Sequence, residues 1–446
     1  MKTVIMAGGR GTRLAPVTGD ELPKAMVPLL GKPLLEYQSA ALVRNGLGDI
    51  IIALGHLGGV IKKHFGNGRA FGCTISYYEE TEPLGTAGAL YQIADRLGDE
   101  FLLINGDILF DVDFSRMIAF HRSRAAFSGG TVTLAVHPNN HPFDSALIES
   151  GAGGRVTAWH NKEDRAPEKQ NAAKNHYYRN SVNAGLHLIS KKALLSIKPQ
   201  GGRVDLDREV LQPLAAAGRL YAYHTPEYIK DLGTPERYEQ VRADAQSGLP
   251  ASRNLGKKQR AVFLDRDGTI NAFNGFITRA RDLALLDGAA EGIALLNRAG
   301  WMVIVITNQP VIARGEASLE ELEQIHNKME EDLGRGGAYV DDIFFCPHHP
   351  DGGFAGERAE YKVDCPCRKP KPGLILKAAE QYNIDTAASW MAGDGERDML
   401  AGRAARCRTA LIAKERPAKN DFGADIVVPD LISLAARLTN DAITLH

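Results

Sequence analysis

The 446-residue chain lacks an excess of either charge: Lys plus Arg number 53 and Asp plus Glu 54, a formal net charge of -1. That balance argues against a dedicated nucleic-acid binder, which needs clustered basic residues. Long apolar runs are also missing. Stretches such as 302–306 and 101–104 fall far short of the ~18 residues that a membrane helix requires. The five-residue apolar run after Met1 and Lys2 is too short for a secretory signal and reads as a first strand, so a cytoplasmic protein is expected. A disulfide framework is absent too, because Cys73, Cys346, Cys365, Cys367 and Cys407 are an odd number in a large chain. Three of these five fall within 22 residues, a clustering that suggests metal and not redox chemistry. Composition is ordinary for a globular protein, at 44% hydrophobic and 24% charged.

At roughly 100–200 residues per domain the length predicts two or three domains. Short apolar runs at 3–7, 49–54 and 101–105 read as buried strands, and amphipathic stretches at 34–45, 87–97 and 114–124 as helices. After a polar stretch at 247–259 the same alternation restarts: strands at 261–264, 302–307 and 343–346, helices at 288–299 and 318–333. The fold class expected is α/β, with two domains that each hold a mostly parallel, Rossmann-like sheet with helices on both faces. Their bounds are 1–246 and 260–446, joined by a linker at 247–259 that shows no core-forming pattern, so the domains should fold apart.

The first strand runs into Gly8-Gly9-Arg10-Gly11-Thr12-Arg13-Leu14. Glycines let the backbone approach phosphate and turn N–H groups toward it. The third glycine of a dinucleotide fingerprint and the Gly-Lys-Ser/Thr of a Walker A loop are both missing. The loop continues into Leu22-Pro23-Lys24 and Gly31-Lys32-Pro33, with further blocks at Leu84-Gly85-Thr86, Asn105-Gly106-Asp107, Asn183-Ala184-Gly185 and Asp231-Leu232-Gly233-Thr234-Pro235. Together these closely resemble the sugar-1-phosphate nucleotidylyltransferases. The resemblance implies binding of a nucleoside triphosphate by Gly8, Gly9, Gly11, Thr12, Arg13, Lys24, Glu80, Gly85 and Asp107. It implies that Arg13 and Lys24 screen the phosphates during in-line attack and that Asp107 and Asp231 hold Mg²⁺. It also implies that Lys162, Asn183 and Gly185 contact the sugar phosphate, although Asn161-Lys162-Glu163 stands where family members often carry Glu-Lys-Pro. Glu80 is suited to accept from the guanine N1–H and amino group; a solvated strand-end residue is the other reading.

The strand at 261–264 ends in Asp265-Arg266-Asp267-Gly268-Thr269. Alternate residues at a strand end share a side, so both carboxylates can converge. This motif, with Thr307, the Arg368-Lys369-Pro370-Lys371 stretch and Gly393-Asp394-Gly395-Glu396-Arg397-Asp398, resembles the haloacid dehalogenase superfamily. The resemblance implies Asp265 as nucleophile and Asp267 as general acid and base. It implies Mg²⁺ between Asp265, the Asp267 carbonyl and Asp394, and phosphate held by Thr307 and Lys369, with Lys371 as the rival lysine. Asn308 and Arg368 are candidate substrate contacts.

Cys346-Pro347-His348 and Cys365-Pro366-Cys367 match a closed Cys₃His zinc site, structural because no position is left open for water. His349 is the alternative to His348. That arrangement, with Thr307-Asn308-Gln309 and Arg314-Gly315, resembles the heptose-1,7-bisphosphate 7-phosphatases, with the histidinol phosphatases as near relatives. Taken together, the two resemblances imply a bifunctional enzyme that makes GDP-heptose from a heptose bisphosphate and GTP. The alternatives are mannose-1-phosphate guanylyl transfer beside another small-molecule phosphatase, or a nucleotide-sugar sensor attached to a phosphatase. Partners are expected to be small molecules, with neither nucleic acid nor membrane, and a homo-oligomer is compatible with the composition.

Overall fold

The computed structural model describes residues 1–9, 11–19, 21–128, 130–165, 176–199, 201–273, 275–414 and 421–443. It forms two compact units. The first comprises Met1–His137, Ile148–His160 and Asn183–Asn254; the second comprises Pro138–Leu147, Asn161–Val182 and Leu255–His446.

In the first unit, Lys2–Ala7 lies in a sheet between Asp49–Leu54 and Glu100–Asn105, parallel to both, with Thr74–Glu79 parallel outside Asp49–Leu54. Val182–Ser190 runs antiparallel to Glu100–Asn105 on the other side. Pleating sends successive side chains to opposite faces. Ile5, Ile50, Ile52 and Leu102 therefore pack with Leu35 and Leu42 of the helix Leu34–Arg44. Val4, Ile51 and Leu103 pack with Leu90, Val210 and Leu214 on the opposite face. The strands are buried on both sides, as a parallel sheet requires. The amphipathic stretch at 87–97 is less regular than its pattern predicts: it forms the short helix Gly88–Gln92 and a separate turn Ala94–Arg96.

The second unit holds a six-stranded, all-parallel sheet. Ala261–Leu264 is central, between Met302–Asn308 and Trp390–Gly393. Val262 and Leu264 face Ile293, Met329 and Leu434, while Ala261 and Phe263 face Leu374, Ile375 and Ala378. Each such fully buried aliphatic side chain contributes about 1.5–3 kcal/mol. Ser318 and Glu321 form a reciprocal cap at the start of the helix Leu319–Arg335. Three aspartates and a threonine (Asp265, Asp267, Asp394 and Thr307) thus sit at the C-terminal ends of adjacent parallel strands, where α/β sheets bind ligands.

Two features depart from a plain two-domain order. Residues 247–259 are not bare linker: Leu249–Ser252 is helical and Leu255 is buried against Ala261 and Phe263. A single apolar residue gives no periodicity to read, yet it seats the chain where the second unit begins. In addition, residues 138–147 and 161–182, inserted between strands of the first half of the sequence, belong to the second unit. The Tyr177 N–H donates to Gln324 Oε1 at 2.8 Å, the Asn180 N–H to Glu330 Oε2 at 3.1 Å, and Arg179 pairs with Asp342 at 3.0 Å.

Candidate active sites

The first strand ends at a cleft of about 650 Å³ lined by Gly8, Gly9, Lys24, Glu80, Gly85, Asn105 and Asp107. Backbone packs on backbone at its floor: a Cβ on Gly55 would lie 2.6 Å from the Gly8 carbonyl oxygen, so only glycine fits there. Gly11, Thr12 and Arg13 continue the loop, with Thr12–Leu14 forming a tight helical turn; Arg10 lies outside the described residues. Lys24 Nζ forms an ion pair with Asp107 Oδ2. Glu80 accepts weakly from the Leu84 N–H at 3.5 Å, and burial raises its carboxyl above the ordinary range. A partly desolvated acceptor with one long hydrogen bond, in a cleft of this size, is suited to a ligand donor.

Asp107 and Asp231 are brought together by the antiparallel pair Ile108–Asp111 and Tyr228–Asp231, in which Asp231 faces Ile108. The Leu232 N–H closes the end on the Asp107 carbonyl at 2.9 Å. The Asp231 carboxylate accepts from Arg237 Nη1 at 2.8 Å and from the Gly233 N–H at 2.8 Å. Arg13 reaches the same turn, its Nη2 3.6 Å from where a Gly233 Cβ would stand. Asn183 accepts from the Gly185 N–H at 3.2 Å, and Gly185 lies against Asn105 of the cleft. Lys162 lies in the second unit, on a cavity of about 630 Å³ lined also by Phe143, Arg165, Tyr178 and Glu331.

In the second unit Lys369 is the centre of charge. It is 3% exposed, with Nζ 2.8 Å from Asp265 Oδ1 and 2.6 Å from Asp398 Oδ1. Burial opposes the charge on Lys369, but Asp265 and Asp398 outweigh it and hold the ammonium above its ordinary range. Lys371 instead pairs with Asp364 at the surface. Carboxylate oxygens of Asp265, Asp394 and Asp398 lie within 4.8 Å of one another. Burial drives Asp265 up to about 7 against the pull of Lys369, and burial followed by Asp265 drives Asp394 up to about 6. Gly268 permits this convergence: at φ +80 its absent Cβ would stand 2.0 Å from Asp394 Oδ2. Asn308 and Lys369 exchange side-chain-to-backbone hydrogen bonds, both at 3.0 Å, which fixes the lysine segment beside Thr307.

Cys346, His348, Cys365 and Cys367 form a third cluster. Cys367 Sγ is 3.3 Å from Cys346 Sγ and 3.4 Å from His348 Nδ1, and Cys346 Sγ is 3.4 Å from Cys365 Sγ. His349 is outside it, its Nδ1 accepting from the Asp351 N–H at 3.2 Å. Arg368 Nη1 donates to the His348 carbonyl at 3.1 Å.

The nucleotidyl transferase family model matches residues 2–248, more than half of the chain, and a HAD-hydrolase-like model matches residues 366–434. The chain belongs to the nucleotidyl transferase family. It is 32% identical over 268 residues, 59% of this chain and 70% of the relative, to the mannose-1-phosphate guanylyltransferase of Mycobacterium tuberculosis. It is also 39% identical over 156 residues, 35% of this chain and 82% of the relative, to a D-glycero-beta-D-manno-heptose-1,7-bisphosphate 7-phosphatase of Pasteurella multocida. A Yersinia pestis protein of that name is 38% identical over 177 residues, 39% of this chain and 92% of the relative. The chain therefore carries two enzymes, a nucleotidyltransferase and a HAD-like phosphatase.

The donor sets suit metals. In the phosphatase, three converging carboxylates face one lysine, a concentration of negative charge that a hard divalent cation relieves, and burial first of all holds the Asp265 and Asp394 carboxyls above their ordinary range. In the cysteine cluster, three soft thiols and one imidazole nitrogen close on a common centre, the chemistry of a tetrahedral zinc site. Sequence reasoning missed Asp398 as the partner of Lys369, although its position four residues after Asp394 on the helix Glu396–Ala404 was a usable signal. Among the described residues no helix is long and apolar enough to cross a membrane.

Proposed function

We propose that this enzyme makes GDP-heptose in two steps. The phosphatase removes the 7-phosphate of D-glycero-D-manno-heptose 1,7-bisphosphate, and the transferase then moves GMP from GTP to the heptose 1-phosphate, releasing pyrophosphate. One observation carries this reading: relatives named for a 1,7-bisphosphate 7-phosphatase and for a sugar-1-phosphate guanylyltransferase match the same chain, and the product class of the first is the substrate class of the second. The transferase relative supports a second acceptor, mannose 1-phosphate. A reaction that consumes GTP suits the cytoplasm.

In the phosphatase, Asp265 attacks phosphorus while Thr307 and the Lys369 ammonium hold the phosphate oxygens. Asp267 protonates the departing sugar oxygen and later takes the proton of the attacking water. Asp265, the Asp267 carbonyl and Asp394 would hold Mg²⁺, which offsets the repulsion between a carboxylate and a phosphate dianion. Asn308 orients the lysine segment, and Arg368 offers a cation to the sugar end. Cys346, His348, Cys365 and Cys367 would hold zinc as a structural clamp. In the transferase, the backbone of Gly8, Gly9, Gly11 and Thr12 cradles the phosphates, and Arg13 and Lys24 screen their charge as the sugar phosphate attacks in line. Asp107 and Asp231 would hold Mg²⁺, Gly85 lines the nucleotide cleft with its backbone packed on Val204, and Asn183 and Gly185 receive the sugar.

Glu80 reads guanine on this account. The test is kcat/KM for GTP, ATP, CTP and UTP with one sugar 1-phosphate, in wild type and Glu80→Gln. A preference for GTP that narrows in the variant is expected, because the amide sets a donor against a donor. A wild-type preference for another triphosphate overturns the guanylyl assignment.

A further inference from the structure

The carboxylate of Asp267, itself part-exposed, sits in a cage of donors that the reaction scheme leaves unexplained. Its Oδ1 accepts from Arg266 Nε at 3.0 Å, Arg266 Nη2 at 2.8 Å and Asn271 Nδ2 at 3.1 Å. Its Oδ2 accepts from Arg266 Nη2 at 2.9 Å and from Gln309 Nε2 at 2.9 Å. Gln309 spends its second amide proton on Thr307 Oγ1 at 2.9 Å, and its Oε1 accepts from Arg266 Nη2 at 3.2 Å. The side chain of Arg266 is fully enclosed, and Gln309 is only 2% exposed. The backbone of Gln309 is fixed as well, its N–H donating to the Cys346 carbonyl at 2.8 Å.

Packing alone does not explain this choice of residue. A buried site between an arginine, a threonine and a carboxylate demands a side chain with two donors and one acceptor in one plane, and glutamine meets that demand with no hydrogen bond left over. Its two amide protons join a group that holds the phosphate, Thr307, to the group that must deliver a proton, Asp267. A carboxylate turns about two torsions, and a displacement of about 1 Å at a reacting group costs on the order of 100-fold in rate.

We propose that Gln309 is a positioning residue of the phosphatase: braced on Thr307 and Arg266, its carboxamide aims Asp267 at the leaving oxygen. This rests on the reading of Asp265 as nucleophile and Asp267 as acid. In the first half-reaction an Asp265 oxygen bonds to phosphorus while the phosphorus–sugar oxygen bond breaks. The bond pair stays on the sugar oxygen, which takes the proton of Asp267. In the second, water bonds to phosphorus and yields its proton to Asp267, the Asp265–phosphorus bond breaks, and inorganic phosphate leaves. Gln309 acts where the sugar oxygen needs a proton. An aryl phosphate, whose leaving group departs as an anion, does not need one in the first half-reaction.

The experiment uses the full chain with Gln309→Met, which keeps length and loses both donors. Two readouts are compared with wild type: steady-state kcat and KM on heptose 1,7-bisphosphate, and the pre-steady-state release of p-nitrophenolate from p-nitrophenyl phosphate. A fall in kcat of about 10–100-fold on the sugar phosphate, with KM and the p-nitrophenolate burst within about threefold of wild type, supports the proposal. Equal losses on both substrates, or no loss on the sugar phosphate, overturn it. If Gln309→Met does not fold, Gln309→Glu decides by the same split, since it keeps the shape and removes the donor to Asp267. Asp265→Asn is run alongside. If that variant still releases p-nitrophenolate, the aspartyl-phosphate reading itself fails; if it is silent and the Gln309 variants show no split, only the positioning role fails.

Discussion

Lys369 Nζ lies 2.8 Å from Asp265 Oδ1, and its other contact is a second carboxylate, Asp398, at 2.6 Å. One buried ammonium thus touches two of the three acids that converge at the strand ends and offsets one of their charges. Lys371 plays no part in that balance.

The lysines can be told apart by substitution. Lys369→Met removes the buried cation and leaves Asp265 and Asp398 facing each other, so phosphatase kcat should fall at least about 100-fold, the scale of losing one electrostatic contact to the reacting group. Lys371→Met should stay within about threefold, because it removes an exposed pair of small energetic value. Phosphate release from heptose 1,7-bisphosphate measures both; the reverse order would assign the role to Lys371.

Metal binding at this site should depend on pH. The pKa values of Asp265 and Asp394 are raised, to about 7 and about 6, so both carboxyls carry protons below that window. Magnesium requires the ionised forms and competes with those protons. Apparent Mg²⁺ affinity should therefore rise as pH goes from about 5.5 to about 7.5, and calorimetry in buffers of different ionisation enthalpy should show proton release near pH 6. The sign of the stability contribution is opposite. Carboxyls with raised folded values favour the metal-free fold below their ordinary range, and that contribution is lost as pH rises through about 6 to 7. Affinity independent of pH across this window would contradict the burial of charge described for these residues.

The cysteine cluster predicts about one zinc per chain by elemental analysis. Cys365→Ser and His348→Ala should each lose metal and lower the melting temperature, and phosphatase activity should fall through the displaced Arg368 segment, since Arg368 is tied to the His348 carbonyl. His349→Ala should keep its metal, because that ring lies outside the cluster. A zinc-free wild type after gentle purification would refute the site.

Cutting the chain tests the second unit. A fragment of 255–446 lacks Tyr177, Arg179 and Asn180, and so strips partners from Gln324, Asp342 and Glu330. Of these only the Asn180–Glu330 contact is buried, where one-sided loss costs about 1–3 kcal/mol, and the part-buried contacts of Tyr177 and Arg179 add less. The fragment should melt well below the phosphatase transition of the intact chain, by calorimetry. A fragment with an unchanged transition would show that residues 138–147 and 161–182 do not stabilise that unit.

Much of this was legible in the sequence because the signals are local. The strand 261–264 was bounded to the residue, and the helix expected at 318–333 runs Leu319–Arg335 with Ser318 as its cap. The cysteine cluster follows from spacing, whereas strand alternation pairs Asp265 with Asp267, and the carboxylates that the structure gathers around Asp265 are those of Asp394 and Asp398. Lys162 could not be placed, because its position depends on where an inserted segment docks, and a docking made through backbone N–H groups to Gln324 and Glu330 leaves no hydrophobic pattern. Arg266 and Gln309 were equally hidden: a buried arginine between two aspartates reads as a charged loop until its partners are seen.

One incubation tests whether a single chain performs two consecutive steps on one sugar. Wild type and Asp265→Asn are each given heptose 1,7-bisphosphate with Mg²⁺ and the four nucleoside triphosphates, and in parallel heptose 1-phosphate with the same mixture; products are read by mass. Wild type should yield inorganic phosphate, heptose 1-phosphate and then GDP-heptose from the bisphosphate. Asp265→Asn should leave the bisphosphate untouched yet still form GDP-heptose from heptose 1-phosphate. Failure of wild type to form any nucleotide-heptose from either sugar, or undiminished phosphate release by Asp265→Asn, would contradict the account.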